Sequence, residues 1–138
     1  MKKKIIFICT HNSVRSQMAE GILRHIAGDS VESFSAGMIK TDVNPMAIKV
    51  MEEKGIDISG QYSKTLDELE GIEFDIVITV CDSANKNCPN LPGNYKKLHW
   101  SIEDPGTFPG TDEEKLNAFR DTRDLLFGMI QSLVEEEI

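Results

Sequence analysis

A thiol and a guanidinium enclose a short polar loop near the start of the chain. The segment Cys9-Thr10-His11-Asn12-Ser13-Val14-Arg15-Ser16 follows an Ile-rich strand and precedes an amphipathic helix. N–H groups of such a loop can turn inward at the helix N-terminus and bind an anion, and Arg15 can bind two of its oxygens as a planar fork. The same positive field and a hydrogen bond from Ser16 favour the Cys9 thiolate. We therefore predict an oxyanion site formed by residues 10–15, with Cys9 as nucleophile.

The Cys-x5-Arg spacing is a weak signal by itself. The simpler interpretation is a buried cysteine that ends a core strand, with a surface arginine nearby. The placement between a strand and a helix is what favours the catalytic interpretation, because ligands of parallel α/β sheets bind beyond the carboxyl ends of the strands.

Two further cysteines have a spacing with a geometric consequence. Cys81 ends the second strong strand, and Cys88 comes seven residues later, which matches no common zinc or Cys-x-x-Cys motif. If the polar segment between them is helical, their Cα atoms lie about 10.5 Å apart. A disulfide needs about 7 Å or less, so it would require the segment to unwind. Spacing alone favours two unrelated thiols, but beside Cys9 we favour a redox-active pair.

An acidic loop, Glu103-Asp104-Pro105-Gly106, follows the last candidate strand. Proline biases the residue before it toward extended geometry, which gives the loop a fixed shape. A carboxylic acid opposite a thiolate can protonate a leaving oxygen. We assign this role to Asp104, with Glu103 as the rival proton donor, although most Asp-Pro pairs are only turns.

Apolar runs and helix caps indicate the elements that position these residues. Strands are predicted at Lys4–Cys9 and Phe74–Val80, with weaker candidates at Val31–Ser35 and Lys97–Ile102. Helices are predicted from Arg15 to Gly28, from Pro45 to about Lys54, and from capping boxes at Thr65 and Thr111. The alternation predicts one α/β domain, residues 1–138, with a central four-stranded parallel sheet and helices on both faces.

Composition restricts the classes of function. The formal charge of −8 over 138 residues argues against nucleic-acid binding. Residues 1–60 carry 8 basic and 7 acidic side chains and residues 61–138 carry 7 and 16, so an anion site belongs in the first part. The longest apolar run is too short for a bilayer, and no cleavage site follows Lys2-Lys3-Lys4, so no membrane association is expected. Three cysteines, an odd number, predict reduced thiols in a cytoplasmic protein.

A series of motifs matches one known family in order over nearly the full length. The motifs are Phe7-Ile-Cys9-Thr, Asn12-Ser13, Arg15-Ser16-Gln-Met-Ala-Glu-Gly21, Ser35-Ala-Gly37, Val43-Asn-Pro45, Asp57-Ile-Ser59, Cys81, Asn87-Cys88-Pro89, His99-Trp100 and Asp104-Pro105. In these motifs the chain resembles the thioredoxin-coupled arsenate reductases, within the low-molecular-weight protein tyrosine phosphatase superfamily. The Cys81/Cys88 pair distinguishes the reductases from the plain phosphatases of this fold, which lack it. The resemblance implies the low-molecular-weight phosphatase-like fold.

The resemblance further implies arsenate reduction, for arsenic detoxification, through three thiols. Cys9 would attack arsenate held by the loop and Arg15, while Asp104 protonates the departing oxygen. Cys81 would attack the adduct, releasing arsenite and leaving a Cys9–Cys81 disulfide, which Cys88 would resolve to a Cys81–Cys88 disulfide. Thioredoxin would reopen that disulfide. No tightly bound cofactor is expected, and the protein is expected to be a monomer.

A few positions depart from the family pattern. His11 stands where glycine is common, which would be awkward if that position needs positive φ. Val14 replaces a second loop cysteine, a change that leaves the relay intact. Some relatives bind potassium near the loop, and three residues here match that site: Asn12, Glu20 and Ser35. Lys64 stands where aspartate is usual, so we expect its ammonium to take the place of the metal.

Three other functions remain open. A phosphatase acting on phosphorylated protein would use Cys9, Arg15 and Asp104 alone, but Gly106-Thr107 stands where such enzymes have an aromatic residue. Cys81→Ser should stop a reductase and leave a phosphatase unaffected. A non-catalytic sensor would use the Cys81–Cys88 pair as a switch. A structural zinc site is the weakest alternative, because the histidines, His99 among them, have no metal-ligand spacing and are interpreted as structural.

Overall fold

Four apolar segments form the strands of the sheet, and amphipathic segments between them form the helices. The structure is a computed structural model that describes residues 2–88 and 91–138, so Pro89 of the Asn-Cys-Pro motif lies outside the described residues. The strands are β1 (Lys3–Cys9), β2 (Val31–Gly37), β3 (Ile76–Thr79) and β4 (Lys96–His99). The helices are α1 (Arg15–Ala27), α2 (Pro45–Glu52), α3 (Asp82–Asn87) and α4 (Asp112–Glu137). Single 3₁₀ turns occupy Leu66–Leu69 and Pro105–Thr107.

The sheet is parallel throughout, with the strand order β2-β1-β3-β4. The central strands β1 and β3 are buried from Ile5 to Cys9 and over all of β3, as expected for strands covered on both faces. β4 is an edge strand with mostly exposed side chains, and it carries lysines, which are common on the exposed edges of sheets. The predicted α/β class and the four parallel strands are confirmed.

All four strands differ from the prediction at their boundaries: β1 begins one residue earlier and β2 ends two residues later, whereas β3 and β4 differ more. β3 is shorter than Phe74–Val80, although the N–H groups of Asp75 and Val80 still donate to carbonyls of β1 at 2.8 and 2.9 Å. β4 ends at His99 rather than at Ile102. The last bond to its neighbour is Trp100 N–H to the Thr79 carbonyl at 2.8 Å, after which the chain leaves the sheet. For β4, the loss of hydrogen-bond partners after Trp100, rather than apolar content, marks where the strand stops.

The helices begin where their caps predict. Asn44 caps α2 by accepting from the N–H of Met46 at 2.8 Å, and Thr111 and Glu114 form the capping box of α4. The predicted stripe of α4 is buried: Leu116, Phe119, Leu126, Ile130 and Leu133. The Thr65 box opens only a 3₁₀ turn, because Glu70 leaves the helical region and Gly71 has a φ of 90°. Among the described residues, none of the helices combines the length and the apolar character needed to cross a bilayer.

An ion cluster joins the end of α2 to α4. Glu53 accepts from Arg120 at 2.9–3.2 Å and from Arg123 at 2.9 Å. The Arg120 hydrogen bond, assisted by Arg123 and opposed by partial burial, lowers the pKa of Glu53 to about 2. A depressed carboxylate pKa contributes stability above the unfolded value of 4.5, and this contribution is lost as the pH falls toward 2.

We therefore expect Glu53→Gln to lower the free energy of unfolding at pH 7 and to lower it progressively less as the pH falls from about 5 toward 2. Urea unfolding of both proteins across this range measures the difference. Glu52→Gln, at the exposed neighbouring position, is the matched control and should leave the difference near zero at every pH. A Glu53→Gln deficit that stayed constant with pH would contradict the assignment.

Candidate functional site

The carboxyl edge of the sheet brings the predicted site residues together. Cys9 ends β1, Cys81 follows β3, and Asp104 lies in the loop after β4. A cavity of about 300 Å³ opens at this edge, and its lining includes Cys9, His11, Ser13, Arg15, Asp104 and Thr107. Because β1 and β3 are neighbours in the sheet, the thiols of Cys9 and Cys81 lie at the same part of this edge.

The loop after β1 bends around the Cys9 sulfur. The N–H of Asn12 donates to Cys9 Sγ at 3.3 Å, and Ser16 Oγ lies 2.8 Å from the same sulfur. Asn12 has a φ of 50°, and among the described residues it is the one non-glycine residue with positive φ. Asparagine tolerates this conformation. The positive φ considered for His11 therefore occurs at Asn12 instead, and asparagine adopts it with little strain.

A chain of hydrogen bonds gives the Ser16 hydroxyl a direction. Gln17 Nε2 and the N–H of Lys64 donate to Asn12 Oδ1 at 2.8 and 3.0 Å, which fixes the orientation of that amide. Asn12 Nδ2 then donates to Ser16 Oγ at 2.8 Å. The Ser16 hydroxyl has its proton left for Cys9 Sγ, and hydrogen bonds donated to a sulfur favour its thiolate. Gln17 is a residue that sequence reasoning missed, since its contacts reach 45 positions along the chain.

Gly37, at the end of β2, lets the loop lie directly on the sheet. A Cβ at this position would stand 2.8 Å from the Asn12 nitrogen and 2.9 Å from the Thr10 carbonyl oxygen. The Thr10 carbonyl also accepts from Met38 and Ile39 at 2.8 and 2.9 Å. Any side chain at Gly37 would push the loop away from Cys9. The sequence showed this glycine only as part of a family motif.

Arg15 is held over the cavity by the loop that follows β4. Its Nη1 donates to the Ile102 carbonyl at 2.8 Å, and its Nη2 lies 3.9 Å from Asp104 Oδ2. The Nε atom is buried and makes no hydrogen bond within the described protein atoms. Because a buried N–H of this kind normally has a partner, it fits the role of an oxyanion donor. The N-cap Val14 places no side chain over the first N–H groups of α1.

Asp104 is positioned as a cap of its own short turn. Its Oδ1 accepts from the N–H of Gly106 at 2.9 Å, which leaves Oδ2 toward Arg15. Asp104 lines the cavity that holds Cys9, whereas Glu103 contributes to an adjacent cavity. Geometry thus favours Asp104 over its rival for a proton-donor role.

Cys81 contacts the loop of residues 10–15, the predicted oxyanion loop, although the contacting residues are 71 positions apart in the sequence. Its sulfur is buried, lies 3.3 Å from Thr10 Oγ1 and accepts from the N–H of Ala84 at 3.4 Å. Cys81 is the N-cap of α3. The residue next to Cys9 therefore also contacts the second thiol.

Cys88 closes the other end of α3, so the segment between the two thiols is helical. Cys9, Cys81 and Cys88 are all in the reduced form. Burial raises the pKa of the half-buried Cys88, and the positive charge of Lys97 opposes that shift. A Cys81–Cys88 disulfide would thus need α3 to unwind, as the spacing argument requires. Within the described part of the chain, no three His, Cys, Asp or Glu side chains converge as metal ligands.

Known proteins match this chain over nearly its whole length. Residues 4–137 match the family described as low molecular weight phosphotyrosine protein phosphatase. An arsenate reductase of Halalkalibacterium halodurans is 46% identical over 134 residues, which are 97% of this chain and 96% of the relative. An arsenate reductase solved in the oxidized state superposes with a TM-score of 0.83 at 32% identity, covering 97% and 98% of the two chains. A thioredoxin-dependent arsenate reductase of Corynebacterium glutamicum gives 0.67 at 32% identity, covering 94% of this chain and 62% of that one.

Proposed function

The chain belongs to the low molecular weight phosphotyrosine protein phosphatase family, and we propose that within it the protein reduces arsenate to arsenite by a relay of three thiols, with thioredoxin as reductant. The observation that carries the proposal is the contact of Cys81 Sγ with Thr10 Oγ1 at 3.3 Å, one residue from the nucleophile Cys9. A phosphatase of this fold needs no second thiol at that place. Relatives named arsenate reductase, at 46% identity over most of the chain, support the same conclusion.

The first step joins arsenate to the enzyme. The loop N–H groups and Arg15 bind the oxygens of the anion, and the Cys9 thiolate attacks arsenic. One arsenate oxygen takes a proton from Asp104 and leaves as water, so that a sulfur–arsenic bond replaces an oxygen–arsenic bond. Ser16 Oγ and the N–H of Asn12, at 2.8 and 3.3 Å from the Cys9 sulfur, hold that sulfur in place for the attack.

The second step reduces arsenic. The Cys81 thiolate attacks the Cys9 sulfur, the sulfur–arsenic bond breaks, and its electron pair stays on arsenic. Arsenite leaves with two more electrons than arsenate, and a Cys9–Cys81 disulfide remains. The contact of Cys81 Sγ with Thr10 Oγ1 at 3.3 Å supports this role, because it places the second thiol beside the residue that follows Cys9.

The third step moves the disulfide away from the cavity. Cys88 attacks Cys81, the Cys9 thiolate leaves, and a Cys81–Cys88 disulfide forms as α3 unwinds. The dithiol of thioredoxin then supplies two electrons and is itself oxidised to a disulfide. The thioredoxin-dependent relative from Corynebacterium glutamicum supports this choice of reductant.

Mass spectrometry of the protein treated with arsenate in the absence of reductant tests the relay. We expect one equivalent of arsenite per chain and, after alkylation of free thiols, a Cys81–Cys88 disulfide with Cys9 alkylated. In Cys81→Ser, neither arsenite nor a disulfide should form. Retention of three free thiols in the parent protein, with arsenate unchanged, would contradict the relay.

Phosphate monoester hydrolysis is a second candidate activity for the same cavity. The match to the phosphatase family and the set of Cys9, Arg15 and Asp104 favour it. Gly106 and Thr107 line the mouth where an aromatic ring would hold a tyrosine, so small phosphate esters are the better substrates. Hydrolysis of p-nitrophenyl phosphate should be equally fast in the parent protein and in Cys81→Ser. A slower hydrolysis in Cys81→Ser would mean that the phosphatase activity also depends on the Cys81 thiol.

The residues matching a potassium site do not fit a bound metal here. Lys64 Nζ lies 3.8 Å from Glu20 Oε1, donates to the Tyr62 carbonyl at 3.1 Å, and sits 4.6 Å from the centre of the Tyr62 ring. Ser35 Oγ donates to the same Glu20 oxygen at 2.6 Å. The ammonium thus already supplies the positive charge that a metal would bring to Glu20, a residue 5% exposed.

We therefore expect potassium to have no specific effect on this protein. The melting temperature and the turnover number should be the same in 100 mM KCl as in 100 mM NaCl, within about 1 °C and about 20%, because screening is common to both salts. Thermal unfolding and steady-state assays in the two salts measure this. A rise in either quantity with KCl alone would show that a metal site persists beside Lys64.

A further inference from the structure

An imidazole on the edge strand reaches the first turn of the helix that separates the two relay thiols. His99, the last residue of β4, has its Nε2 2.9 Å from Asp82 Oδ1. Asp82 is the first residue of α3 and follows Cys81 directly. The carboxylate can only accept, so Nε2 is the donor. The His99 hydrogen bond, followed by one from Ser101, holds the pKa of Asp82 below its usual range, which keeps the acceptor ionised.

The other face of the same imidazole is tied to the sheet. His99 Nδ1 lies 2.8 Å from Thr79 Oγ1, at the end of β3. Asn85 Oδ1 on α3 lies 3.4 Å from the same Thr79 Oγ1. His99 therefore joins three elements: the ends of β3 and β4 and, through Asp82 and Asn85, the helix between the thiols.

The helix has few other contacts that would keep it wound. Ala84 is the one buried residue of its six, so little apolar area anchors it. Its side-chain cap is the Cys81 sulfur, which accepts from the Ala84 N–H at 3.4 Å and becomes a disulfide sulfur on oxidation. Unwinding of the first turn of α3 would break the His99–Asp82 contact, because Asp82 begins that turn.

We propose that His99 and Asp82 form a latch, a pair of positioning residues that holds α3 in its helical form and thereby opposes formation of the Cys81–Cys88 disulfide. The latch rests on the proposed relay, since it acts on the same disulfide. Its consequence is that the resting enzyme keeps Cys88 apart from Cys81. The Cys81–Cys88 disulfide is also easier for a dithiol to reduce, because its reduction restores the contact between His99 and Asp82.

The thiol–disulfide equilibrium of Cys81 and Cys88 tests the latch. In a Cys9→Ser background these two thiols form the one possible intramolecular disulfide, and equilibration against dithiothreitol gives the equilibrium constant directly. We expect His99→Ala to favour the disulfide by about two- to fivefold, the size typical of one exposed side-chain hydrogen bond. That change makes the reduction potential about 10 to 20 mV more negative, at 29.6 mV per tenfold.

A double-mutant cycle and a matched control make the test specific. Asp82→Ala should shift the equilibrium in the same direction, and the double variant should shift it by less than the sum of the two single effects. Lys96→Ala, which removes the 3.0 Å ion pair of β4 with Glu137, should leave the equilibrium unchanged. An unchanged equilibrium in His99→Ala, additive single effects, or an equal shift in Lys96→Ala would overturn the latch. A parent protein that forms no Cys81–Cys88 disulfide at any ratio of reductant would contradict the relay, and the latch with it.

Discussion

Cys88→Ser is expected to release one equivalent of arsenite per chain and then stop. Cys9 and Cys81 suffice for the two steps that reduce arsenic, so the first turnover proceeds. The third step needs the Cys88 sulfur, because without it the Cys9–Cys81 disulfide has no intramolecular thiol to resolve it. Sustained turnover should therefore fall by at least about 100-fold, although the first equivalent appears at the normal rate.

Burial explains why thioredoxin should not rescue this variant. Cys9 is 2% exposed and Cys81 is 4% exposed, so a disulfide between them lies below the surface. Thiol–disulfide exchange needs in-line approach of the attacking thiol to a sulfur. Cys88 is half-buried at the open end of α3, and unwinding of α3 moves its disulfide outward. The third thiol thus carries the oxidising equivalents from a buried site to a partner protein.

Arsenite release in a rapid-quench assay, with mass spectrometry of the product, measures this outcome. We expect a burst of one equivalent with thioredoxin, its reductase and NADPH present, and a Cys9–Cys81 disulfide in the recovered protein. Ser83→Ala, on the exposed side of the same helix, is the matched control and should turn over continuously. Repeated turnover of Cys88→Ser would mean that thioredoxin reaches the Cys9–Cys81 disulfide directly.

The sheet and the oxyanion loop could be predicted because their determinants are local. The Ile-rich run of β1 and the Asn44-Pro45 start of α2 depend on neighbours within a few residues, and both are confirmed. The loop around Cys9 is similarly local, since the atoms that donate to its sulfur come from Asn12 and Ser16, three and seven positions away. Short-range chemistry of this kind is visible in a single sequence.

Contacts between distant segments could not be predicted. The contact of Cys81 with Thr10 depends on β3 lying beside β1, and no residue type near either position indicates that register. His99 was interpreted as a structural residue at the sheet edge, and its link to Asp82 depends on where β4 ends. Because parallel strands are joined by long crossovers, side chains at their ends come from separate parts of the chain. The placement of relay residues is therefore a property of the strand order.

Arg15 is the residue whose conservative replacement should cost the most, because its function depends on a planar fork. Its Nη1 is fixed by the Ile102 carbonyl at 2.8 Å, and its side chain is 12% exposed. Two donors remain for a bound oxyanion: Nη2, which lies 3.9 Å from Asp104 Oδ2, and Nε, which is buried and has no hydrogen-bond partner among the described residues. A lysine keeps the charge but loses both the anchor and the paired donors. Charge alone would not orient arsenate in line with Cys9.

We therefore expect Arg15→Lys to lower kcat/KM for arsenate by about 100- to 1000-fold, which is the usual effect of removing one fixed oxyanion donor. Most of the loss should appear in kcat, since the ammonium still attracts the anion while the charge that develops on the departing oxygen goes unstabilised. Steady-state arsenite production measures both parameters. Arg24→Lys is the matched control on the same helix, because Arg24 does not line the cavity that holds Cys9, and it should stay within about twofold of the parent. If Arg15→Lys kept a tenth or more of the parent kcat, a point charge would be enough and the bidentate role assigned to Arg15 would be wrong.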